Sequence, residues 1–371
     1  MPSLSAAGQN KTALARGPDG WPRFRWGFLG TGTVADRFAA QLATLGNAEL
    51  AGVASHTPGR AEAWAATHGA KASFRSYRSL LDDDEIDIVY VATPAEQHHE
   101  HCIAALQAGK GVLCEKPFAM TAAEARTIAE AAQQEGRFCM EAMWLRFSVL
   151  VQRVRSEVRA GGLGAVSEFR AELGYRTAEV RLRDGQASRG ALLNFGVYGV
   201  SLAHFLFGSP SAVRAAMVPH PSGLDASVAA VLCYPTCLAT ISASVSVALS
   251  NEAFIAGDTG SLRLGPPFFN PGWLRRVSGG AAPARPAGPG RMQRLASFVP
   301  GSGLLQGSFA IALLRGNALL ALRPRAADGM RLEAAEVIRC LAAGETESPV
   351  MPLAESIAVL ETLDEIRRVW G

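Results

Sequence analysis

The sequence predicts two domains: an α/β domain with a doubly wound parallel sheet, followed by an α+β domain with an open, largely antiparallel sheet. A length of 371 residues suits two domains at roughly 100–200 residues each. Hydrophobic residues make up 49% of the chain and charged residues 19%, so a large core can form and wholesale disorder is excluded. Near residue 145 the pattern changes from strands separated by helices to runs that alternate between apolar and polar residues.

The first domain is expected to span residues 24–145, after a flexible tail at 1–23 that is rich in Gly, Ala and Ser. Its predicted strands are 25–30, 48–56, 86–94, 111–117 and 137–143, and its predicted helices are 31–46, 58–69, 96–108 and 121–136. The strand at 86–94 is a near-continuous apolar run, which is typical of a parallel strand covered on both faces. Strands separated by helices of this length form βαβ units, and these units predict the parallel sheet.

The second domain is expected to span residues 146–371. Its predicted strands are 166–175, 212–218, 226–234 and 237–249, and its predicted helices are 147–160, 190–208, 331–343 and 353–369. A further expectation is that the final helices pack back on the first domain. An open, one-sided sheet needs a cover, so we expect a homodimer to form through it.

The stretch 270–328 is unusual because it is rich in Arg, Gly and Pro. Between residues 270 and 331 there are nine arginines and a single acid, Asp328. We interpret the stretch as a solvated, partly disordered surface insertion. A docking surface for an acidic partner or a neighbouring subunit is an alternative. Nucleic acid is a third and less favoured one, because no aromatic residue is interleaved with 285–294.

Composition excludes several classes of protein. A net charge of +3 is too small to indicate a nucleic-acid binder, and no uncharged apolar run reaches the length of a membrane span. Cys233 and Cys237 have no second pair with which to complete a zinc site, so we expect no metal. The other four cysteines are scattered, and the N-terminus has no apolar core of a secretory signal. We therefore expect a reduced, cytoplasmic protein.

The turn after the first strand reads G-x-G-x-x-A and opens a helix, which is the context of a dinucleotide-binding turn. Gly30 can form the tight turn, and Gly32 has no Cβ to keep a pyrophosphate away from the backbone. The N–H groups at the start of the helix would face the phosphates. The alternative is an ordinary strand–helix turn. The residues predicted to hold the pyrophosphate are Gly30, Thr31, Gly32, Thr33 and Val34.

The end of the second strand predicts the choice of cofactor. A carboxylate there would hold the ribose 2′-hydroxyl of NAD, but residues 51–59 contain no acid. Ser55 and His56 lie there instead, and Arg60 follows in the first turn of the next helix. These side chains suit a 2′-phosphate, so NADP is favoured over NAD. The alternative for Arg60 is a solvated helix residue.

Several stretches carry a family resemblance. Residues 91–120 contain Glu115-Lys116-Pro117, and residues 140–147, 190–198 and 333–371 follow in the same order as in the family. Together they resemble the Gfo/Idh/MocA oxidoreductases, in the branch of dimeric dihydrodiol dehydrogenase and D-xylose dehydrogenase, from about residue 24 to the C-terminus. The resemblance implies a Rossmann domain, a second domain whose open sheet often dimerises, and hydride transfer between a nicotinamide and a hydroxyl carbon of a pyranose sugar or vicinal cyclic diol.

The resemblance also implies roles for single residues. Tyr198 matches the acid/base position, and Lys116 would lower its pKa and hydrogen-bond the reacting oxygen. A packed tyrosine and a structural lysine are the alternative. Trp144 and Arg146 would contact substrate, unless they are a core tryptophan and a structural arginine. The residues implied to lie beside the nicotinamide are Thr93, Pro94, His98, Glu115 and Lys116.

Two positions depart from the family pattern. Many relatives have Asp where this chain has Asn194, which shares a helix face with Tyr198 and can support it by hydrogen bonding but cannot carry a charge. Gly199 replaces a frequent proline. The neutral Asn194 keeps a second reading open, a catalytically silent NAD(P)-binding sensor or co-repressor of the same fold. Within the enzyme reading, a deoxysugar ketoreductase is an alternative.

Overall fold

The structure is a computed structural model that describes residues 20–177, 190–279, 310–314, 318–322 and 328–370. Most of the predicted tail and much of the stretch 270–328 lie outside these residues. The described chain forms two sheets, one in each half of the sequence. Among its helices, none is both long and apolar enough to cross a membrane.

The first sheet has six parallel strands in the order β3-β2-β1-β4-β5-β6. The strands are β1 Phe24–Leu29, β2 Ala48–Ala54, β3 Ala72–Phe74, β4 Ile88–Val91, β5 Gly111–Glu115 and β6 Cys139–Ala142. This confirms the predicted doubly wound sheet. The strand order reverses between β1 and β4, and ligands bind at the carboxyl ends of strands at such a reversal.

The helices of this domain are α1 Thr33–Leu42, α2 Arg60–His68, α3 Tyr77–Leu81, α4 His98–Gln107 and α5 Ala122–Glu135. The start of α5 is well capped, because Thr121 Oγ1 accepts from the N–H of Glu124 and the Glu124 carboxylate accepts from the N–H of Met120. The start of α1 differs, since its cap is Gly32 and no side chain accepts from its first N–H groups. Those donors are left available to a ligand.

The second sheet has nine strands in the order β14-β15-β13-β12-β11-β7-β10-β9-β8, and it is antiparallel except between β7 and β10. The strands are β7 Val166–Gly174, β8 Ala212–Pro219, β9 Asp225–Cys233, β10 Leu238–Ser244, β11 Ala253–Gly257, β12 Gly260–Leu264, β13 Trp273–Ser278, β14 Ala310–Leu314 and β15 Ala318–Leu322. The predicted open, largely antiparallel sheet is therefore confirmed.

Helices cover one face of this sheet. They are α6 Val149–Arg159, α7 Val197–Phe207, α8 Gly329–Ala342 and α9 Leu353–Val369, with a π-helical turn at Leu192–Gly196 just before α7. Every residue of α7 from Val197 to Leu206 is buried, because the helix lies between the sheet and the rest of the protein. Gly199 lies where α7 meets β10: a Cβ at this position would approach Ile241 to 2.9 Å.

Part of the stretch 270–328 is not the surface insertion that the sequence predicts. Residues 273–278 form β13, which pairs with β12 on one side and β15 on the other. The alternation of buried and exposed positions in this strand is hard to recognise in the sequence because the stretch is rich in arginine. Leu274 is buried, while Arg275 faces outward. Residues 280–309 lie outside the described part of the chain.

The last two helices contact both domains. In α9, Asp364 accepts from the N–H of Ala122, and Arg367 donates to the carbonyl of Met120. The segment between α8 and α9 also reaches the first domain, because the carbonyl of Thr346 accepts from the N–H of Cys139. The two domains are thus joined by the end of the chain, which fixes the cleft between them.

Candidate active site

Two adjoining cavities lie at the carboxyl edge of the parallel sheet. The first, which we call the cofactor cleft, is lined by Gly30, Thr31, Gly32, Val34, Ser55, His56, Thr57, Arg60, Tyr77, Ala92, Thr93, Pro94, Glu96 and Gln97. The second, the catalytic cleft, is lined by Val34, Arg37, Thr93, His98, Glu115, Lys116, Trp144, Tyr175, Asn194, Phe195, Tyr198, Phe269 and Met330. Val34 and Thr93 line both, so the two cavities adjoin at these residues.

The turn after β1 has the shape that a dinucleotide pyrophosphate needs. Gly30 has a φ of +103°, and a Cβ there would come within 2.6 Å of the carbonyl oxygen of Ala92. A Cβ on Gly32 would meet nothing within 4 Å and would project into open space beside the uncapped start of α1. The cradle therefore fits a phosphate group. Of the residues predicted for it, Thr33 is exposed and lines neither cleft.

The far end of the cofactor cleft is formed by the residues after β2. The Arg60 guanidinium lies near the cradle, with Nη2 3.4 Å from the carbonyl oxygen of Thr31. The Ser55 hydroxyl accepts from the N–H of Thr57, and the His56 ring packs edge-on against Tyr77 with ring centroids 4.0 Å apart. The acidic residue lining this cleft in the described chain is Glu96, which follows β4 rather than β2.

Lys116 joins the two domains. It follows β5, and its ammonium donates to the carbonyl oxygen of Asn194 at 3.0 Å and lies 4.6 Å above the ring centroid of Tyr198. Glu115 is held within its own domain, because its carboxylate accepts from the Tyr90 hydroxyl at 2.6 Å and from the N–H of Lys116 at 3.1 Å. The structure thus brings together the lysine and the tyrosine that the sequence predicts as a pair.

Aromatic rings surround Tyr198. The Trp144 Nε1 donates to the Tyr198 hydroxyl at 3.1 Å, and the Phe269 ring stacks on the tyrosine with centroids 4.7 Å apart and planes inclined by 20°. Both neighbours line the catalytic cleft. Flat apolar walls of this kind suit the face of a small ring.

The protonation of Tyr198 differs from the prediction. Burial raises the pKa of its hydroxyl well above the ordinary value, and the negative charge of Glu115 adds to this effect. The hydrogen bond from Trp144 and the positive charge of Arg37 lower the pKa again, but burial outweighs them. Lys116 contacts the ring face rather than the oxygen, and the expected net lowering of the pKa is wrong.

Asn194 lies in the π-helical turn and lines the catalytic cleft with Tyr198. Its side-chain Nδ2 donates to the carbonyl oxygen of Gly190 at 2.7 Å, while its own carbonyl oxygen accepts from Lys116. Turns of this π-helical kind occur frequently at functional sites. Asn194 therefore supports the lysine through its backbone.

Arg146 does not lie in the catalytic cleft, which corrects the prediction that it contacts substrate. Its side chain is fully buried, and Nε and Nη2 donate to the hydroxyl and carbonyl oxygens of Ser201. Nη1 donates to Glu355 at 2.7 Å. Arg146 therefore ties α7 to the start of α9 and is structural, while Trp144, two residues earlier, lines the cleft.

The histidine run after β4 diverges in space. The buried His98 lies with Nδ1 2.8 Å from the carbonyl oxygen of Pro117 and Nε2 3.0 Å from that of Thr93, so it connects the end of β4 to the loop that carries Lys116. His99 and His101 contact other hydroxyl groups. Within the described residues, no group of three or more His, Cys, Asp or Glu side chains is arranged to hold a metal ion.

Several lining residues were not predicted. Arg37 lies one helical turn after Val34 and shares its face, a spacing that could have indicated it. Phe269 and Met330 flank the segment interpreted as an insertion, so no local pattern pointed to them. Tyr175 and Phe195 complete the catalytic cleft, and their rings pack edge-on at a centroid distance of 5.7 Å.

A dinucleotide cradle that opens into a cleft with a lysine and a tyrosine from different domains defines a nicotinamide-dependent oxidoreductase. The comparison with family models agrees. Residues 24–143 match "Oxidoreductase family, NAD-binding Rossmann fold", and residues 151–263 match "GFO/IDH/MocA C-terminal domain". The chain belongs to the Gfo/Idh/MocA family, and it is an NAD(P)-dependent oxidoreductase.

Curated relatives extend over almost the whole chain. It is 32% identical over 355 residues to the trans-1,2-dihydrobenzene-1,2-diol dehydrogenase of Homo sapiens, which covers 94% of this chain and 97% of the relative. The enzyme of the same name from Bos taurus is 31% identical over 353 residues, with the same coverage. These relatives confirm the resemblance to the dihydrodiol dehydrogenase branch.

Solved structures share the fold. The aldose-aldose oxidoreductase of Caulobacter crescentus, complexed with glycerol, superposes with a TM-score of 0.75 at 23% identity over 94% of this chain and 97% of that one. Levoglucosan dehydrogenase, in complex with NADH and levoglucosan, gives 0.75 at 20% identity with the same coverage. A 3-ketoreductase of Actinomadura kijaniata, in complex with TDP-benzene and NADP, gives 0.73 at 20% identity, over 93% of this chain and 96% of that one.

Proposed function

We propose that the protein transfers a hydride between a nicotinamide and a hydroxyl carbon of a vicinal cyclic diol or a pyranose sugar. The observation that carries the proposal is the pairing of Lys116 with Tyr198 in a cleft that adjoins the cofactor cleft at Val34 and Thr93. The rings of Trp144 and Phe269 supply walls for a cyclic substrate. The dihydrodiol dehydrogenases at about 31% identity support the same class of substrate.

The bound cofactor would supply the hydride acceptor or donor, and the cradle at Gly30 and Gly32 would hold its pyrophosphate. The residues of this chain handle the proton. In alcohol oxidation the Tyr198 oxygen accepts the hydroxyl proton, and in reduction it returns that proton. The Lys116 ammonium favours the phenolate and stabilises negative charge on the reacting oxygen. The surrounding aromatic side chains keep bulk water from the two groups.

The test of this function is a screen of aldoses, inositols and cyclic diols with NADP+ and NAD+, followed through the absorbance of the reduced nicotinamide. We expect turnover with at least one vicinal diol or pyranose. Binding of NADP+ without turnover of any member of the panel would favour the silent sensor or co-repressor over the enzyme.

NADP(H) is proposed as the preferred cofactor. Arg60, Ser55 and His56 line the cofactor cleft at the end of β2, and no carboxylate follows that strand. Arg60→Ala should weaken NADP+ binding by about 10-fold or more, because a charge-assisted hydrogen bond is lost, and should leave NAD+ nearly unchanged. Titration of both cofactors measures this. The control is Arg75→Ala, which removes an almost fully exposed arginine outside the cleft; equal losses for the two cofactors would contradict the assignment.

Two further properties belong to the proposal. A homodimer through the open face of the second sheet is supported by the apolar side chains of Val218 and Leu238, which are exposed there. A cytoplasmic setting is supported by the cysteines, all six of which lie in described segments and are free thiols.

A further inference from the structure

Arg37 is a charged residue of the catalytic cleft that has no contact with the Tyr198 hydroxyl or the Lys116 ammonium. It lies on the exposed side of α1, and its guanidinium carbon is 5.2 Å from the ring centroid of Trp144. That ring in turn donates its Nε1 hydrogen to the Tyr198 hydroxyl. The guanidinium is therefore placed at the edge of the space where a substrate ring would lie against the tryptophan.

The guanidinium of Arg37 makes no hydrogen bond or ion pair with any residue of the described chain. The adjacent Asp36 points elsewhere: its Oδ1 accepts from Trp64 Nε1 at 2.7 Å and lies 3.2 Å from His68 Nε2. An arginine keeps its charge at every physiological pH and offers five donors in a planar fork. The N–H donors of the Arg37 guanidinium are thus available to bind a ligand in the catalytic cleft.

The other charged groups of the catalytic cleft are already engaged. The Glu115 carboxylate accepts from Tyr90 and from the N–H of Lys116, and the Lys116 ammonium donates to the carbonyl of Asn194. Neither therefore balances Arg37 through a direct contact. A fixed cation beside a reactive cleft favours a ligand that brings a negative charge.

The groups that would bind the cofactor phosphates lie in a different part of the molecule. The cradle at Gly30 and Gly32 and the guanidinium of Arg60 all line the cofactor cleft, whereas Arg37 lines the catalytic cleft alone. Arg37 also lies four residues beyond the start of α1 at Thr33, so it is outside the ring of free N–H groups at the helix end. Arg37 thus lies apart from the groups that form the phosphate cradle.

We propose that Arg37 binds a carboxylate on the substrate, so that the preferred substrates are cyclic diols or sugars that carry a ring carboxylate, such as sugar acids. This inference rests on the proposed dehydrogenase function. A carboxylate is favoured over a phosphate because Arg37 supplies one free positive charge, which matches a monoanion, whereas Lys116 is engaged with Asn194. The aromatic walls at Trp144 and Phe269 hold the ring, and the fork of Arg37 sets its orientation.

The test compares substrates that differ in one charged group. kcat/KM is measured separately for the two members of three pairs: glucose and glucuronate, galactose and galacturonate, and 1,2-cyclohexanediol and a 1,2-cyclohexanediol that carries a carboxylate on the ring. Glucose 6-phosphate is the phosphate-bearing comparison. In the wild type we expect the carboxylate member of at least one pair to be preferred by about 10-fold or more. Arg37→Met should remove that preference, lowering kcat/KM for the carboxylate member about 10-fold or more beyond any change for the neutral member, since Met retains packing against Trp144. Arg37→Lys should keep part of the preference, because the charge remains without the fork.

The matched control is Arg331→Met. Arg331 lies on α8 next to α1, but its Nε donates to Thr44 Oγ1 and its side chain is outside both clefts. This variant should behave as the wild type does. An equal loss for charged and neutral substrates in Arg37→Met, or a weaker NADP+ titration in that variant, would overturn the inference and make Arg37 a structural or cofactor residue. Preference for glucose 6-phosphate over glucuronate would overturn the choice of carboxylate.

A direct binding measurement separates this inference from the proposed function. Calorimetric titration of glucuronate and glucose into protein saturated with NADP+ requires no turnover. Tighter binding of glucuronate that Arg37→Met abolishes supports the anion site even where the substrate screen finds no activity, in which case the proposed dehydrogenase function alone fails. Equal binding of the two sugars in wild type and variant overturns the anion site.

Discussion

At the scale of single residues, the site is decided by what surrounds the Tyr198 hydroxyl. Burial keeps the hydroxyl protonated, because a phenolate in an apolar cleft loses its hydration. The hydrogen bond from Trp144 and the positive charge of Arg37 oppose this effect but do not outweigh it. Under the proposed function, oxidation requires the phenolate that burial disfavours, and the Lys116 ammonium over the ring is the group proposed to favour it.

Replacing Tyr198 with Phe should lower kcat by roughly 10²–10⁴-fold, because the proton acceptor is lost, while NADP+ affinity changes little. The pH profile gives a second reading. A raised pKa leaves the phenolate scarce at neutral pH, so wild-type kcat/KM for oxidation should rise as the pH rises through the neutral and alkaline range. That rise should be absent in Tyr198→Phe. A variant that keeps both the rate and the slope would show that another group takes the proton.

Asn194→Asp tests the departure from the family pattern. The Nδ2 of Asn194 donates to the carbonyl of Gly190, and an ionised carboxylate would face that oxygen without a proton to share. We expect Asn194→Asp to lower the free energy of unfolding by about 1–3 kcal/mol at neutral pH, measured by urea titration. The effect should shrink in acid, where the carboxyl is protonated and can donate. Asn194→Ala provides the uncharged control, and an Asp variant as stable as the wild type would contradict the argument.

The sequence could predict which residues line the cleft only where a residue type seldom has a purely structural role. The sequence predicts Lys116 and Tyr198, and the structure brings them together, although the part each takes in the chemistry stays a prediction. Trp144 and Arg146 could not be separated in advance, because both lie in one short 3-10 turn and only their distant partners differ, Tyr198 for the first and Glu355 for the second. Which side faces the cleft depends on the packing of α7 and α9, and this information is not local.

At the scale of elements, the β1–α1 turn shows how backbone shape creates a binding site. Its two glycines have different jobs. Gly30 needs its positive φ and its lack of a side chain because Ala92 crosses close behind it. Gly32 has an ordinary negative φ and free space around it, so its lack of a side chain matters to a ligand and not to the fold.

The two glycines form a matched pair of variants. Gly32→Val should leave the melting temperature nearly unchanged and weaken NADP+ binding by at least about 10-fold, because the side chain fills the phosphate cradle. Gly30→Ala should instead lower the melting temperature, since a Cβ would meet the Ala92 oxygen at 2.6 Å in a strained backbone conformation. Thermal scans and cofactor titrations of both proteins measure this. A lower melting temperature in Gly32→Val would show that the space beside Gly32 cannot hold a side chain, which would contradict the argument.

Elements with strong local signals were predicted well, and the rest depend on distant partners. The helices α1, α2, α4 and α5 follow from apolar periodicity with Gly or capping residues at their ends. The strand β3 has three residues, too few for a pattern. The strand β13 carries arginines on its outer face, and it is a strand because β12 and β15 pair with it.

At the scale of the whole molecule, the site exists only where the two domains and the end of the chain meet. Lys116 comes from the first domain and Tyr198 from the second, and Met330 at the start of α8 closes the catalytic cleft between them. Gly329 allows this approach, because a Cβ there would come within 2.6 Å of the Trp144 carbonyl oxygen. The position of the second domain therefore determines the geometry of the site. An interaction that restrains the second sheet also restrains Tyr198 relative to Lys116.

The face of the second sheet opposite α7 has the features of a self-complementary surface. Around β8 and β10 it exposes apolar side chains, with Val218 at 61% and Leu238 at 51% of full exposure. Near its centre the Phe254 ring lies between two guanidinium groups, those of Arg170 and Arg263, at 5.1 and 5.8 Å. Acidic side chains accompany them, since Glu168, Glu172 and Glu252 contact Arg170, Ser250 and Arg263. A face with apolar, basic and acidic patches can pair with a copy of itself about a two-fold axis.

We therefore expect the protein to be a dimer of about twice 39.1 kDa in light scattering at micromolar concentration. Val218→Glu combined with Leu238→Glu should weaken the dimer by about 10-fold or more, because two charges would be buried without partners in each copy. Arg75→Glu, an almost fully exposed position on the first domain, is the matched control and should leave the mass unchanged. If the double variant is monomeric and has a lower kcat at an unchanged melting temperature, the result would show that contact between the two sheets helps to maintain the geometry of the cleft. A wild-type mass near that of one chain would refute the dimer.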